Sequence, residues 1–247
     1  MKTDWIEPSW PAPASVQALQ TTRSGGVSEA PWDSLNLGGH VGDAPQAVEE
    51  NRRLLREGAG LPGEPVWMRQ VHGTAVVAAH AAGKEPPEGD AAWTNSPGTV
   101  CAVMTADCLP VLLCDDAGET VAVSHAGWKG LAAGVIERTI HAMGAEPAHV
   151  LAWLGPAIGP AAFEVGEEVR TRFLQMDPGA TACFTAGNPG HWYADLYGLA
   201  RRRLHGLGVR NIQGGGCCTH SDARRFFSHR RDGPQTGRMA TLIWLER

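Results

Sequence analysis

Three residues offer metal-binding side chains at the ends of apolar segments: His72, Cys108 and His125. Two imidazoles and one thiolate suit zinc, and a catalytic zinc keeps a fourth position for water or substrate. Taken singly, each residue has an ordinary interpretation, as a hydrogen-bonded turn histidine or a buried hydrophobic cysteine. The three are far apart in sequence and form no CxxC or HExxH motif. Their chemistry therefore indicates a zinc site, while their spacing leaves its existence open.

Cys108 also has a second chemistry, that of a nucleophile. A thiolate is activated when a base takes its proton and a third group orients the base. His125 or His72 would be the base, and Asp107, which directly precedes Cys108, would orient it or hold a substrate group. We expect Asp107, Cys108 and His125 to be the catalytic residues. Metal content discriminates the two chemistries, since a nucleophilic thiol needs no zinc and a bound zinc would quench it.

Polar and basic residues in glycine-containing segments are candidates for binding a substrate or phosphate. A helix beginning near Trp128 would present free N–H groups to an anion, and Lys129 adds a positive charge. Arginine suits bidentate oxyanion contacts, so Arg230 and Arg238, with His229, could bind phosphate or carboxylate. The ordinary interpretation of each segment is a turn or a solvated basic loop. The expected substrate- and phosphate-binding residues are Arg23, Asn36, His40, Lys129, His229 and Arg230.

Short apolar or alternating segments must position these side chains, and they are typical of β-strands. Two of them flank the turn sequence Asp115-Asp116-Ala117-Gly118 and predict a β-hairpin. The predicted strands are Ser15–Thr22, Glu64–Val71, Thr99–Met104, Pro110–Cys114, Thr120–Ser124, Val150–Leu154 and Arg238–Leu245.

Helical spacing of apolar residues is found in fewer places. The predicted helices are Ala47–Glu57, Trp128–Met143, Glu167–Gln175 and Ala194–Leu204. Strands and helices are mixed, but they do not alternate as in a series of βαβ units. The sequence therefore predicts an α+β fold, and no shift in composition divides residues 1–247 into more than one domain.

Composition narrows the classes of protein. The 247 residues carry a formal net charge of −5, whereas a nucleic-acid-binding domain is usually basic. No window approaches the roughly 20 apolar residues of a membrane span, and the first residues lack the apolar stretch of a signal peptide. Six scattered cysteines without a secretion signal favour reduced thiols or metal ligands over disulfides. We expect a cytoplasmic protein that binds neither nucleic acid nor membrane, and its oligomeric state stays open.

Several segments together resemble the YfiH-type family, whose members are described as laccase-domain polyphenol oxidoreductases, purine nucleoside phosphorylases and peptidoglycan editing factors. TADCLP, SHAGWKG and SHRRDG in this order are specific to that family, and the resemblance runs from about residue 21 to residue 238. The matching segments are TTRSGGVS, SLNLGGHVGD, RQVHGT, GDAAWTNSPG, TADCLPVLL, SHAGWKG, LGPAIGPAAFEVGEEV and FFSHRRDGPQTGR.

The resemblance implies a single α+β domain of mixed, layered sheets flanked by helices. It also implies zinc held by the histidine of QVHG, the cysteine of ADCLP and the histidine of HAGWKG, which are His72, Cys108 and His125 here. Its implied reactions are phosphorolysis of adenosine, inosine, guanosine and methylthioadenosine, and deamination of adenosine. The expected partners are therefore a purine nucleoside and phosphate, and Asp107 is a candidate for moving the proton.

Three other functions compete with this one. The first is a copper-dependent polyphenol oxidoreductase, but ten histidines without one H-x-H pair argue against the multi-copper cluster of a true laccase. Copper still stays the alternative metal for a single site. The second is a hydrolase that edits muramyl precursors of peptidoglycan with Cys108 as nucleophile. The third is a binding protein without turnover.

Overall fold

The computed structural model describes residues 4–83 and 85–246, in which strands and helices are interspersed. The strands are β1 (Val16–Gln20), β2 (Val76–Ala78), β3 (Ala91–Thr94), β4 (Cys101–Thr105), β5 (Leu109–Asp115), β6 (Val121–Ala126), β7 (Val150–Leu154), β8 (Glu164–Gly166), β9 (Phe184–Ala186), β10 (His191–Ala194), β11 (Asn211–Gly214) and β12 (Met239–Leu245). The α-helices are α1 (Pro45–Gly58), α2 (Trp128–Ala133), α3 (Val135–Met143), α4 (Glu167–Met176), α5 (Leu196–Leu207) and α6 (His229–Asp232).

The strands form three sheets. The largest has six strands in the order β11-β7-β5-β6-β3-β2, with parallel pairs at both edges and antiparallel pairs in the centre. A three-stranded antiparallel sheet has the order β1-β12-β4. A small sheet, β8-β10-β9, completes the set. The mixture of sheets and helices confirms the α+β prediction.

The two larger sheets are stacked, with helices on both outer sides. Val103 of β4 and Ile243 of β12 pack against Leu112 and Val123 of the six-stranded sheet. Because side chains alternate along a strand, the other face of β5 presents Val111 and its neighbours to α3 and α5. The outer face of the three-stranded sheet packs against α1. Burial on both faces explains why the central strands are almost continuously apolar.

Most of the predicted elements are confirmed. The hairpin consists of β5 and β6, paired antiparallel with Leu109 opposite Ala126 and Cys114 opposite Val121. The predicted strand over Val150–Leu154 agrees with β7 at both ends. The helices predicted near α1, α4 and α5 are found with small shifts at their ends.

Two predictions are wrong in physically informative ways. Residues 64–71 form no regular strand and make only isolated bridges, from Val66 to Cys101 and from Arg69 to Glu88. The helix predicted over Trp128–Met143 is divided in two by Gly134, whose φ of +94° is left-handed. Within the described residues, no helix is long and apolar enough to cross a membrane.

Candidate metal centre and adjoining cavity

The three predicted metal ligands meet in the folded chain. The ligand atoms of His72, Cys108 and His125 all lie within 4.8 Å of one another. The Cys108 sulfur is 3.8 Å from His72 Nε2, and the two imidazole rings are edge to face with centroids 4.8 Å apart. A thiolate and two imidazoles are a zinc-type donor set, so the arrangement has the composition and compactness of a metal centre.

The register of the β5–β6 hairpin brings two of these residues together. Leu109 pairs with Ala126 and Pro110 with His125, so Cys108 continues β5 directly beside the end of β6. His72 comes from the loop before β2 and adopts a positive φ of 60°. His125 is buried, whereas His72 is exposed. The centre is therefore anchored in the sheet on one side and open on the other.

Asp90, immediately before β3, connects the two histidines. Its buried carboxylate accepts a hydrogen bond from the His125 ring at Nδ1 (2.8 Å) and from the backbone N–H of His72 (2.9 Å). It also accepts from the amides of Val71 and Gly73. The backbone carbonyl of Asp90 accepts the amide of His125 at 2.7 Å. One residue thus orients an imidazole and fixes the backbone of the other ligand, as outer-shell carboxylates do in metal sites.

The charges of Cys108 and His125 support each other. Burial raises the pKa of the Cys108 thiol, but the attraction of His125 and hydrogen bonds with both histidines outweigh it and bring that pKa to about 6. Burial lowers the pKa of His125, but Cys108 and Asp90 outweigh it and raise that pKa to about 9. A thiolate at Cys108 and a proton on the His125 ring therefore stabilise each other. A bound metal ion would take the place of that proton.

Gly127 lies against the sulfur, between β6 and α2. A β-carbon at this position would be 2.9 Å from Cys108 Sγ and 3.2 Å from His72 Cδ2. Only a residue without a side chain leaves both ligands in place. The small size of Gly127, in the SHAGWKG segment, therefore keeps Cys108 and His72 in their observed positions.

A cavity of about 380 Å³ adjoins the three residues, which is within the usual size range of small-molecule sites. Trp128 and Phe163 give it aromatic walls, and Arg230 lies over the Phe163 ring. Its positively charged or imidazole side chains, apart from the metal centre, are His40, Lys129, His229, Arg230 and Arg238. Such a lining suits a flat, partly apolar molecule together with an anion.

The structure brings four of the six expected substrate-binding residues into this lining: His40, Lys129, His229 and Arg230. It places Arg23 and Asn36 outside this lining, in contrast to the expectation that their side chains face a ligand. Glycine-rich segments predict turns, but they do not predict which way the neighbouring side chains face.

Arg23 and Asn36 instead hold loops in place through hydrogen bonds. The Arg23 guanidinium donates to the Asp33 backbone and carboxylate and to the Ala223 carbonyl. Asn36 is fully buried. Its amide donates to Asp43 and to the Gly38 carbonyl, and its oxygen accepts the Arg238 amide at 2.9 Å. Their hydrogen-bonding groups therefore serve loop contacts, and Asn36 reaches the cavity lining through the backbone of Arg238.

Asp107 lines the cavity with its carboxylate held by three donors. It accepts from Thr219 Oγ1 (2.5 Å), Ser228 Oγ (3.0 Å) and the Arg230 amide (2.7 Å). Its carbonyl accepts the amide of Ile158, another lining residue, at 2.9 Å. Asp107 thus ties distant chain segments to the Cys108 turn. The expectation that Asp107 orients a histidine is wrong, because Asp90 makes that contact.

Sequence reasoning did not single out Asp90 and Gln70, which hold the segments around the three clustered residues, or the aromatic side chains of the cavity. Asp90 lies 18 residues from His72 and 35 from His125, and only the strand register brings it to them. Gln70, within the RQVHG segment, pairs its side-chain amide with both backbone groups of Met104 at 2.9 and 2.7 Å. Gln70 thereby fixes the loop that carries His72 onto β4. The only sequence signal for either residue is its place inside a motif.

Comparison with known proteins shows similarity over nearly the whole chain. A family model described as multi-copper polyphenol oxidoreductase laccase matches residues 17–246. A Pseudomonas aeruginosa protein named purine nucleoside phosphorylase is 54% identical over 243 residues, covering 98% of each chain. An Escherichia coli protein, purine nucleoside phosphorylase YfiH, is 53% identical over 240 residues, covering 97% of this chain and 98% of that one.

Solved structures show the same fold. A Neisseria meningitidis protein superposes with a TM-score of 0.95 at 49% identity, covering 99% of this chain and all of that one. The YlmD protein of Geobacillus stearothermophilus superposes with a TM-score of 0.93 at 31% identity, covering 100% of this chain and 98% of that one.

Proposed function

Because this chain belongs to the laccase-domain family whose model it matches, we propose that it is a metal-dependent purine nucleoside phosphorylase. The observation that carries the proposal is the place of the His72–Cys108–His125 cluster, which opens onto a cavity lined by cations and aromatic rings. Close relatives named purine nucleoside phosphorylases support the activity. The proposed substrates are adenosine, inosine, guanosine and methylthioadenosine, with deamination of adenosine as a side activity.

The three residues fit zinc. The donor set is one thiolate and two imidazoles, and His125 has the carboxylate partner that metal-bound histidines usually have. When bound there, zinc supplies Lewis-acid activation of a water molecule, which deamination requires. Copper is the alternative metal for the same donors.

The remaining lining residues account for phosphorolysis. We assign Lys129, His229 and Arg230 to the phosphate, because each lines the cavity and can donate to its oxygens. The held phosphate oxygen attacks the anomeric carbon as the N-glycosidic bond breaks, and the base leaves with the bonding electrons and gains a proton. Trp128 and Phe163 are placed to stack on the flat base. Asp107, beside Cys108 in the lining, stays our candidate for moving that proton.

The matching family model is described as a laccase, but the proposed function does not involve laccase chemistry. In the described part of the chain, one cluster alone, His72–Cys108–His125, brings three potential metal ligands together. Oxygen reduction by a multi-copper oxidase needs several copper ions. A single three-ligand centre therefore favours the phosphorylase over the oxidase.

A cysteine hydrolase acting on muramyl precursors is the second candidate, and one observation favours it. Asp90 is hydrogen-bonded to the His125 ring, and a ring nitrogen of His125 lies within 4.8 Å of the Cys108 sulfur, which is also close to the arrangement of a nucleophilic cysteine. Bound zinc would occupy the thiolate, so the metal content of active protein decides between the two candidates.

Metal analysis and a product assay test the proposal together. We expect purified protein to contain about one zinc per chain and to convert adenosine plus phosphate to adenine and ribose 1-phosphate, with some inosine. Cys108→Ala removes one ligand, so we expect loss of the metal and of turnover. The measurements are elemental analysis and chromatography of the products.

Cys218→Ser is the matched control, since it changes a cysteine that does not line the cavity. It should keep both metal and turnover. A Cys108→Ala variant that keeps its zinc would show that the ligand assignment is wrong. Wild-type protein that contains zinc but forms neither free base nor inosine would show that the proposed activity is wrong.

A further inference from the structure

Arg238, on the turn before β12, differs from the other basic side chains of the cavity. Lys129, His229 and Arg230 are exposed, whereas Arg238 is half-buried. Among residues 4–83 and 85–246, no carboxylate forms an ion pair with it. Buried charges are ordinarily paired, because removing them from water is costly. Within that part of the chain, Arg238 therefore carries a charge that no carboxylate balances by direct contact.

The backbone holds the guanidinium in place and leaves part of it free. Its Nη1 donates to the carbonyls of Thr236 (2.6 Å) and Gly237 (3.1 Å), and its Nη2 to that of Pro234 (3.4 Å). A guanidinium has five N–H donors, so these bonds leave two of them, Nε–H and one on Nη2. A guanidinium that is held in place and has free donors is preorganised to bind an oxyanion.

The loop over residues 36–38 fixes Arg238 from the other side. Asn36 Oδ1 accepts the Arg238 amide at 2.9 Å, and the Leu37 amide donates to the Arg238 carbonyl at 3.1 Å. A β-carbon on Gly38 would lie 2.8 Å from Arg238 Cγ. The glycine-rich loop therefore contributes to the cavity indirectly, by holding the backbone and the stem of Arg238.

The burial of Arg238 and the charges around it support the same interpretation. Burial lowers the pKa of the guanidinium, and the negative charges of Cys108 and Asp107 oppose that effect. The Arg238 side chain therefore lies near enough to Cys108 and Asp107, which line the same cavity, to feel their charges.

We propose that Arg238 is an oxyanion-binding residue of this cavity and that it holds inorganic phosphate next to the His72–Cys108–His125 centre. The proposal rests on the proposed function for the identity of the anion as a co-substrate. It adds that phosphate is bound by a half-buried, prepositioned guanidinium, and that the exposed Lys129, His229 and Arg230 only supplement it.

Phosphate binding by zinc-loaded protein tests this assignment directly, with inorganic phosphate alone as the probe in calorimetry. Arg238→Met keeps most of the aliphatic stem and removes the charge. We expect its Kd for phosphate to rise about tenfold or more, as the loss of a charge-assisted hydrogen bond would give. In the phosphorolysis assay the KM for phosphate should rise while the KM for the nucleoside stays unchanged.

Arg52→Met is the matched control. Arg52 touches the same loop from α1, through the Leu37 carbonyl, and lies outside the cavity lining. Its phosphate affinity should stay within about twofold of the wild type, since Arg52 does not line the cavity and cannot donate a hydrogen bond to the anion. Arg238→Lys keeps the charge but loses the planar set of guanidinium donors, so its phosphate affinity should be intermediate. This variant replaces Arg238→Met in the test if Arg238→Met does not fold.

The outcomes separate this assignment from the proposed function. Unchanged phosphate affinity in Arg238→Met, in an enzyme that phosphorolyses nucleosides, overturns the assignment and leaves the proposed function standing. Wild-type protein that binds no phosphate overturns the assignment as well. Phosphate binding that depends on Arg238, in a protein that forms no free base, supports the assignment and overturns the proposed function.

Discussion

At the scale of single residues, Asp90 holds both histidines of the proposed metal centre. Its carboxylate bonds the His125 ring and three successive amides of the loop that carries His72. The four hydrogen bonds set the direction of one imidazole and the backbone of the other. The affinity of the centre for metal should therefore depend on a residue that does not touch the metal.

Asp90→Asn tests this dependence. The amide oxygen can accept from the loop, but the NH₂ group cannot accept the His125 Nδ1–H. Because loss of an outer-shell partner typically costs metal affinity, we expect zinc binding to weaken by about 10- to 100-fold. Competition with a chromophoric chelator measures the change.

Asp116→Asn is a matched control, since Asp116 pairs with the His149 ring at 2.7 Å on the exposed surface, away from the cavity. Zinc affinity should not change in this variant. Equal zinc affinities for wild type and Asp90→Asn would show that Asp90 does not orient His125.

At the scale of elements, the junction of β6 with α2 has to pass within contact distance of the metal ligands. Gly127→Ala would place a β-carbon 2.9 Å from Cys108 Sγ. The sulfur and the His72 ring must move to relieve that overlap. We expect a folded protein whose zinc content and turnover are both strongly reduced, measured by elemental analysis and product formation.

Gly206→Ala gives the comparison for that variant. Gly206 lies in α5, and a β-carbon there meets nothing within 4 Å. Since alanine favours a helix over glycine, this change should stabilise the protein by about 0.5–1 kcal/mol and leave zinc binding intact. Full zinc content in Gly127→Ala would mean that the junction has more room than the structure gives it.

The sequence predicted the elements that carry the ligands better than the contacts between them. The β5–β6 hairpin was predictable because its apolar strands flank a strong turn signal, and it fixes Cys108 beside His125. The segment over residues 64–71 has an apolar pattern but only isolated bridges. Arg23 and Asn36 lie outside the cavity lining, which the sequence did not predict, because a glycine-rich pattern predicts a turn but not the direction of its side chains. Asp90 escaped prediction because only the register of β3 against β6 brings it to His125.

At the scale of the whole molecule, stability and chemistry are separated in space. Ile243 of β12 is fully buried between the two stacked sheets and does not line the cavity. Ile243→Ala should lower the free energy of unfolding by about 2–5 kcal/mol and leave kcat unchanged in protein that is still folded. Urea unfolding of metal-free protein gives the first quantity, because bound zinc would add to the apparent stability.

Met176→Ala is the control for this deletion, since Met176 at the end of α4 is 62% exposed. Its effect should be within about 0.5 kcal/mol. A similar stability loss in both variants would contradict a core located between the two sheets.

The position of β12 in its sheet has a consequence for biosynthesis. It is the last strand along the described chain, yet it lies between β1 and β4 and hydrogen-bonds to both. During translation, β1 and β4 cannot pair with β12 until residues 239–245 have been synthesised and have left the ribosome. A chain released before that point would expose two unpaired edges, which are templates for aggregation. Chaperones that shield nascent strands should therefore matter more to the yield of this protein than to that of one whose sheets close early.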